Sequence, residues 1–251
     1  MGLLRKKWER LAMNIDDLIE MYEIYKSKYG IEACKRISAL LMEAKELHRK
    51  DFLGSITAER AIAEGRQPDH EQSWRAFKGK NLEKLIVHII QEEVESLGLK
   101  IVNGNKLERT EGGNLSKELS QVKRNLLIDY GKFGAYLPDV DIVIYEPKTI
   151  RIIAVISSKV TLRERIAQTG YWKLKLAADS VTKHIKVYFV TPDEDQTLAI
   201  KEPMKKGRAI VEADLDGSYV LCENDIEESD KVKTFDKFIQ DLKALLSLNC
   251  N

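Results

Sequence analysis

The residues with the most chemical promise lie between Leu137 and Leu176. Two β-like runs, Asp141 to Glu146 and Ile150 to Ser157, flank a turn signalled by Pro147, and the second run ends on Ser158 and Lys159. Antiparallel neighbours joined by so short a turn bring Asp139, at the mouth of the first strand, to the same sheet edge as Lys159. Asp141 starts the strand two residues later and shares a face with Asp139. Between Arg151 and Lys175 the chain also carries Lys159, Arg163, Arg165 and Lys173, with Glu164 as the lone acid. A carboxylate able to hold a cation, a lysine beside it and a local excess of positive charge suit chemistry on a phosphodiester.

These residues need a scaffold, and the flanking sequence supplies one. Ile15 to Arg49 has helical periodicity, broken at Gly30, and a short helix is expected over Thr57 to Ala63 before the turn-rich GRQPDH stretch. Asn81 to Leu97 reads as a strong helix closed by Gly98, with Leu82, Leu85, Ile86, Ile89, Ile90 and Val94 on its apolar stripe. Leu99 to Gly134 is poorly patterned and rich in Gly and Asn, apart from a candidate helix over Lys117 to Leu127. Ile185 to Thr191 is a buried-strand run, and weaker strands are expected over Ala209 to Glu212 and Ser218 to Cys222. Lys231 to Leu248 reads as a closing helix. The alternation predicts an α/β fold, a mixed sheet between helical layers, with residues 1–70 as an N-terminal helical region and 71–251 as the core. The helical region would either embrace a ligand or pair with a second copy, or simply pack on the sheet.

With 251 residues, 43% hydrophobic and 32% charged, the chain has the composition of a soluble globular protein able to bury a sizeable core. Its net charge of +1 says nothing by itself about partners, so the local clustering above carries that argument. Cys34, Cys222 and Cys250 follow no metal-ligand spacing and suggest a reducing compartment. The charged first residues do not resemble a signal peptide, and no run approaches a membrane span, so a cytoplasmic protein without a membrane partner is expected. His48, His70, His88 and His184 show no clustering in sequence, which argues against a histidine-based zinc site.

Pro138 and Asp139, the hairpin and Lys159 together resemble the core of the PD-(D/E)XK nuclease superfamily. Serine stands at position 157, where that pattern has an acid. Arg163-Glu164-Arg165, directly after the lysine, resembles a subgroup of type II restriction endonucleases that read CC:GG steps in targets of the CCGG, CCNGG and CCWGG kind. The resemblance implies a restriction-endonuclease-like α/β/α core and a Mg²⁺-dependent, sequence-specific cleavage of double-stranded DNA by a homodimer, with dimers free to pair into tetramers. It implies that Asp139 and the backbone carbonyl of Ser158 hold Mg²⁺ and that Lys159 positions the attacking water. It also implies that Arg163 and Arg165 donate to guanines while Glu164 accepts from cytosine.

In that subgroup a glutamate on the following helix replaces the missing acid, but the corresponding positions here are Trp172 and Lys173. The second carboxylate is therefore sought in Glu83, on the helix ahead of the hairpin, or in Asp141. Thr161 to Glu164 also fits a capping box, which would leave the two arginines against the helix dipole unless an anion or base edge compensates. Trp74, interleaved with Arg75, Phe77 and Lys78, could stack on nucleotides with Lys78 nearby, or be core. Tyr171 and Trp172 read as packing residues. Two rivals share these motifs: a repair or junction-resolving nuclease, and a DNA-binding module that has lost catalysis.

Overall fold

The computed structural model describes residues 13–110, 114–160, 163–223 and 225–248, with backbone only at 163, 164 and 248. A mixed six-stranded sheet runs in the order β1-β4-β5-β6-β7-β8: Lys100–Asn103, Ile142–Glu146, Arg151–Ser158, Lys186–Thr191, Gly217–Val220 and Val232–Thr234. The first three of these pair antiparallel and the last four parallel. Strands β2 (Ile128–Asp129) and β3 (Ala135–Tyr136) make a separate two-stranded ribbon. The sheet's central strands are covered on both faces, which is why IVIY and IIAVISS read as almost unbroken apolar runs.

One face packs Ile142, Ala154, Ile156, Tyr188 and Tyr219 against helices α1 (Ile15–Tyr29), α2 (Ile37–Leu53), α4 (His70–Ser96) and α9 (Phe238–Leu248). On the opposite face, Val143, Val155 and Phe189 meet α5 (Gly104–Arg109), α6 (Lys117–Leu126), α7 (Arg163–Ala177) and α8 (Lys206–Asp214). Leu18, Ile37 and Leu40 from the first quarter share one continuous core with the sheet. The short α3 (Ile56–Ala63) is capped by Ser55, whose Oγ accepts from the Ala58 N–H.

Four elements differ from the sequence expectation. Helix α4 starts at His70, well ahead of Asn81, because Asp69 caps it by accepting from the Gln72 N–H at 2.9 Å and Trp74 gives its first turns a buried face. Ala209 to Glu212 is helical, not extended. It lies in the crossover between the parallel strands β6 and β7, and such a connection is commonly a helix. Its Arg208 is fully buried, donating to the carbonyls of Leu198 and Glu227 and, at 3.3 Å, to Glu212. The closing segment begins as edge strand β8 before turning helical at Phe238, and β1 lies inside the stretch that showed no pattern. Four-residue and three-residue strands are too short to display a period.

Phe189 is among the largest fully buried side chains. Phe189→Ala is expected to lower unfolding free energy by about 3–5 kcal/mol, read from the urea midpoint.

Candidate active site

The site forms where β4 begins, β5 ends and the middle of α4 passes. Asp141 is fixed through all of its polar groups. Its N–H donates to the Ile156 carbonyl at 3.0 Å and its own carbonyl accepts from the Gly104 N–H at 2.8 Å. Its carboxylate accepts from the Ser158 N–H at 2.6 Å and from Lys159 Nζ at 2.9 Å on both oxygens. Asp141 is buried and Lys159 partly exposed, so the ammonium reaches solvent while its counter-charge does not.

Gly104 permits this arrangement. A Cβ on it would lie 1.8 Å from the Val140 carbonyl oxygen, so only glycine lets the β1–α5 junction approach the start of β4. In the sequence Gly104 is one glycine among several in the poorly patterned stretch, and the signal that sets it apart is its place directly after the short run KIVN.

Glu83 completes the group. Its Oε1 is buried and has no hydrogen-bond partner. Burial pushes its carboxyl up to about 7, Asp141's charge adds to the rise, and Lys159, Lys84 and Arg109 oppose it. A carboxylate left desolvated and unpaired beside a second one is costly in a folded protein unless a cation or proton compensates. Ser157, at the position where an acid was expected, also has a buried Oγ without a partner. Among the described residues no cluster of three or more His, Cys, Asp or Glu side chains forms a metal-binding group. The oxygen donors present are two carboxylates and nearby backbone, which suits a hard, partly hydrated cation such as Mg²⁺ better than a transition metal.

In the structure the acid against Lys159 is Asp141, while the Asp139 carboxylate lies at the surface, accepting from Gln168 Nε2 at 2.9 Å and Arg165 Nη1 at 3.4 Å. The reason is a tight turn: the Val140 N–H bonds to the Pro138 carbonyl, putting Asp139 at the apex and throwing its side chain toward α7. Strand alternation therefore does not carry across residues 138–140.

Trp74 and Lys78, expected as DNA contacts, both face inward. Trp74 is 3% exposed and packs against Phe77 and His48. Lys78 is 7% exposed and its ammonium is held by both oxygens of Glu194 at 2.6 and 2.7 Å. The histidines are not all separate either, since His48 Nδ1 and His70 Nε2 meet at 3.2 Å. Arg163 opens α7, but the side chains of Arg163 and Glu164, and Thr161, expected from the sequence as the cap, lie outside the described residues. Trp172 packs into the core, whereas Tyr171 is exposed.

Comparison with known proteins agrees with this architecture. The family model described as BsaWI restriction endonuclease type 2 matches residues 118–241, which span α6, the hairpin and the parallel strands. A protein of Methanocaldococcus jannaschii bearing the type II restriction enzyme name MjaVIP is 42% identical over 176 residues, covering 68% of this chain and 76% of that one. A protein of Helicobacter pylori bearing the type II restriction enzyme name HpyAORF263P is 36% identical over 134 residues, covering 53% and 67%. Among solved structures, the restriction endonuclease PspGI in its complex with substrate DNA superposes with a TM-score of 0.56 at 14% identity, over 99% of this chain and 98% of that one. The chain belongs to the type II restriction endonucleases. It is thus an enzyme of the nuclease class, and among the described residues no helix is long and apolar enough to cross a membrane.

Two outcomes follow from the geometry. Gly104→Ala forces the Val140–Asp141 backbone to move, and an overpacking cost of about 1–3 kcal/mol is expected in a thermal melt, together with reduced cleavage. For Glu83, the folded protein without metal keeps a proton between pH 4.5 and about 7 that the unfolded chain releases. Its stability in EDTA should therefore fall as pH rises through that window, and Glu83→Gln should flatten the dependence of the urea midpoint on pH.

Proposed function

We propose that this chain is a Mg²⁺-dependent endonuclease that cuts double-stranded DNA at a short palindromic, C/G-containing site of the CCGG, CCNGG or CCWGG kind. The observation that carries the reading is the buried, unpartnered Glu83 oxygen coupled to the Asp141–Lys159 pair. Glu83, Asp141 and the Ser158 carbonyl would hold the cation, and Ser157 leaves the usual third acid unfilled. The metal, when bound, supplies charge neutralisation at the scissile phosphate and lowers the pKa of a water.

The protein's own groups do the rest. Asp141 fixes the Lys159 ammonium at the partly open end of β5, where it can orient a water and stabilise negative charge developing on the phosphate. Arg163, Glu164 and Arg165, at the start of α7, read base edges: the arginine forks suit guanine O6 and N7, and the carboxylate suits cytosine N4. Asp139 takes a different role from the one its motif implies. Together with Gln168 it holds the Arg165 guanidinium, and so orients a reading residue. Cutting both strands of a palindrome calls for two such sites about a two-fold axis, hence a homodimer, and dimers that pair into tetramers fit the same symmetry.

The test incubates purified protein with plasmid and phage DNA in Mg²⁺ or EDTA and sequences the ends. Discrete Mg²⁺-dependent fragments sharing a palindrome are expected. Asp141→Ala and Lys159→Ala should lower the rate by roughly 10²–10³-fold or more. Asp139→Asn should instead keep metal-dependent cutting and weaken discrimination between sites. Specific binding without cleavage would replace this reading with that of a silent DNA-binding module. Structure-dependent nicking with no shared sequence would point to repair.

A further inference from the structure

The β2–β3 ribbon supplies none of the side chains of the Glu83–Asp141–Lys159 group, yet it presents aromatic side chains to solvent shortly ahead of it in sequence. Phe133, in the turn between the strands, is 69% exposed, and Tyr136 at its end is 59% exposed. An exposed aromatic at a turn has nothing to gain from folding, because it stays in water. The turn itself is well made: Asp129 Oδ1 accepts from the Gly131 N–H at 2.7 Å, and Gly131 and Gly134 take the positive φ values that the tight loop needs.

The ribbon is tied to α7. The hydroxyls of Tyr130 and Tyr171 meet at 3.1 Å, and Tyr130 and Tyr136 pack edge to face. Lys175 sits over the rings of Tyr130 and Tyr171, with Nζ 5.1 and 5.6 Å from their centroids, and Lys132 sits over Phe133 at 5.1 Å. Gln168, Tyr171 and Lys175 are spaced by three and four residues, so they form one stripe of α7 that continues from the Asp139–Gln168–Arg165 contact. From Tyr136 the chain passes through Leu137 and Pro138 straight to Asp139 and Asp141. The patch thus combines exposed aromatic rings with lysines and is continuous along α7 with the Asp139–Gln168–Arg165 group.

We propose that this ribbon is a second DNA-binding element, in which Phe133 packs as an apolar wedge in the groove of the duplex flanking the cut site while Lys132 and Lys175 meet its phosphates. The proposal rests on the nuclease reading above. Duplex DNA is the favoured occupant because the lysines match phosphate charge and the patch adjoins Arg165, one of the proposed base-reading residues. A second copy of this chain would have to bury the same lysines against a surface of opposite charge.

The experiment measures anisotropy of a labelled duplex, long enough to extend about one helical turn past the site on either side, titrated in EDTA with the wild-type chain and with variants. Phe133→Ala is expected to weaken binding by about tenfold. Lys132→Ala should reduce the salt dependence of log affinity by about one unit of slope. Met42→Ser, which removes an exposed apolar side chain on α2 away from this patch, should bind as wild type does. Wild-type affinity for Phe133→Ala would overturn the proposal while leaving the nuclease reading intact. A change in sedimentation from dimer to monomer with Phe133→Ala, at unchanged DNA affinity, would also overturn it and assign the ribbon to self-association. Failure of the wild-type chain to bind the duplex both in EDTA and with Ca²⁺ in place of Mg²⁺ would overturn the site-specific reading above, and the ribbon's role with it.

Discussion

The contact on which the site depends is the clasp on Asp141. Its carboxylate takes the Ser158 N–H and the Lys159 ammonium, while its peptide group bonds to Ile156 on one side and Gly104 on the other. That one residue joins the start of β4, the end of β5 and the β1–α5 junction. A buried carboxylate is strongly disfavoured without such partners, and here a charge-assisted pair and a short backbone bond offset the cost. The rest of the fold supports the clasp: β6 receives the Lys159 N–H through the Val190 carbonyl, and the two apolar layers hold β4 and β5 in register.

Against that clasp, Glu83 is the unbalanced charge. Helix α4 brings it in from well ahead of the hairpin in sequence, and Lys159, its exposed neighbour Lys84 and Arg109 only partly offset its desolvation. The protein tolerates an orphaned carboxylate oxygen because α4 is anchored along its length by Leu82, Leu85, Ile86 and Ile90 in the core. Packing energy from those residues sustains a local electrostatic cost at one point of the same helix, a common arrangement where groups await a ligand.

Much of the fold was legible from periodicity. The hairpin, α6, the strand over Lys186–Thr191 and the apolar stripe of α4 were all visible as patterns, because each is long enough to repeat. The short strands β1 and β8 were not, since three or four residues carry no period, and neither was the helix over Lys206–Asp214, whose state was decided by the crossover between the parallel strands β6 and β7. Trp74 and Lys78 looked like a stacking ring and a base because composition records side-chain type and not direction; the long α4 turns both inward, against His48 and Phe77 in one case and Glu194 in the other.

The sequence by itself determined the inventory: an acid before the hairpin, a lysine at its end, a basic helix start and an acid on the preceding helix. It also carried the family, since 42% identity to a relative over 176 residues is a property of the sequence. Only the tertiary structure decided between Asp139 and Asp141. Both lie at the mouth of β4, and alternation puts them on one face, but the bond between the Val140 N–H and the Pro138 carbonyl turns Asp139 out toward Gln168 and leaves Asp141 with Lys159. A local turn and the close approach allowed by Gly104 made that choice, and both depend on backbone contacts across strands that no spacing along the chain records.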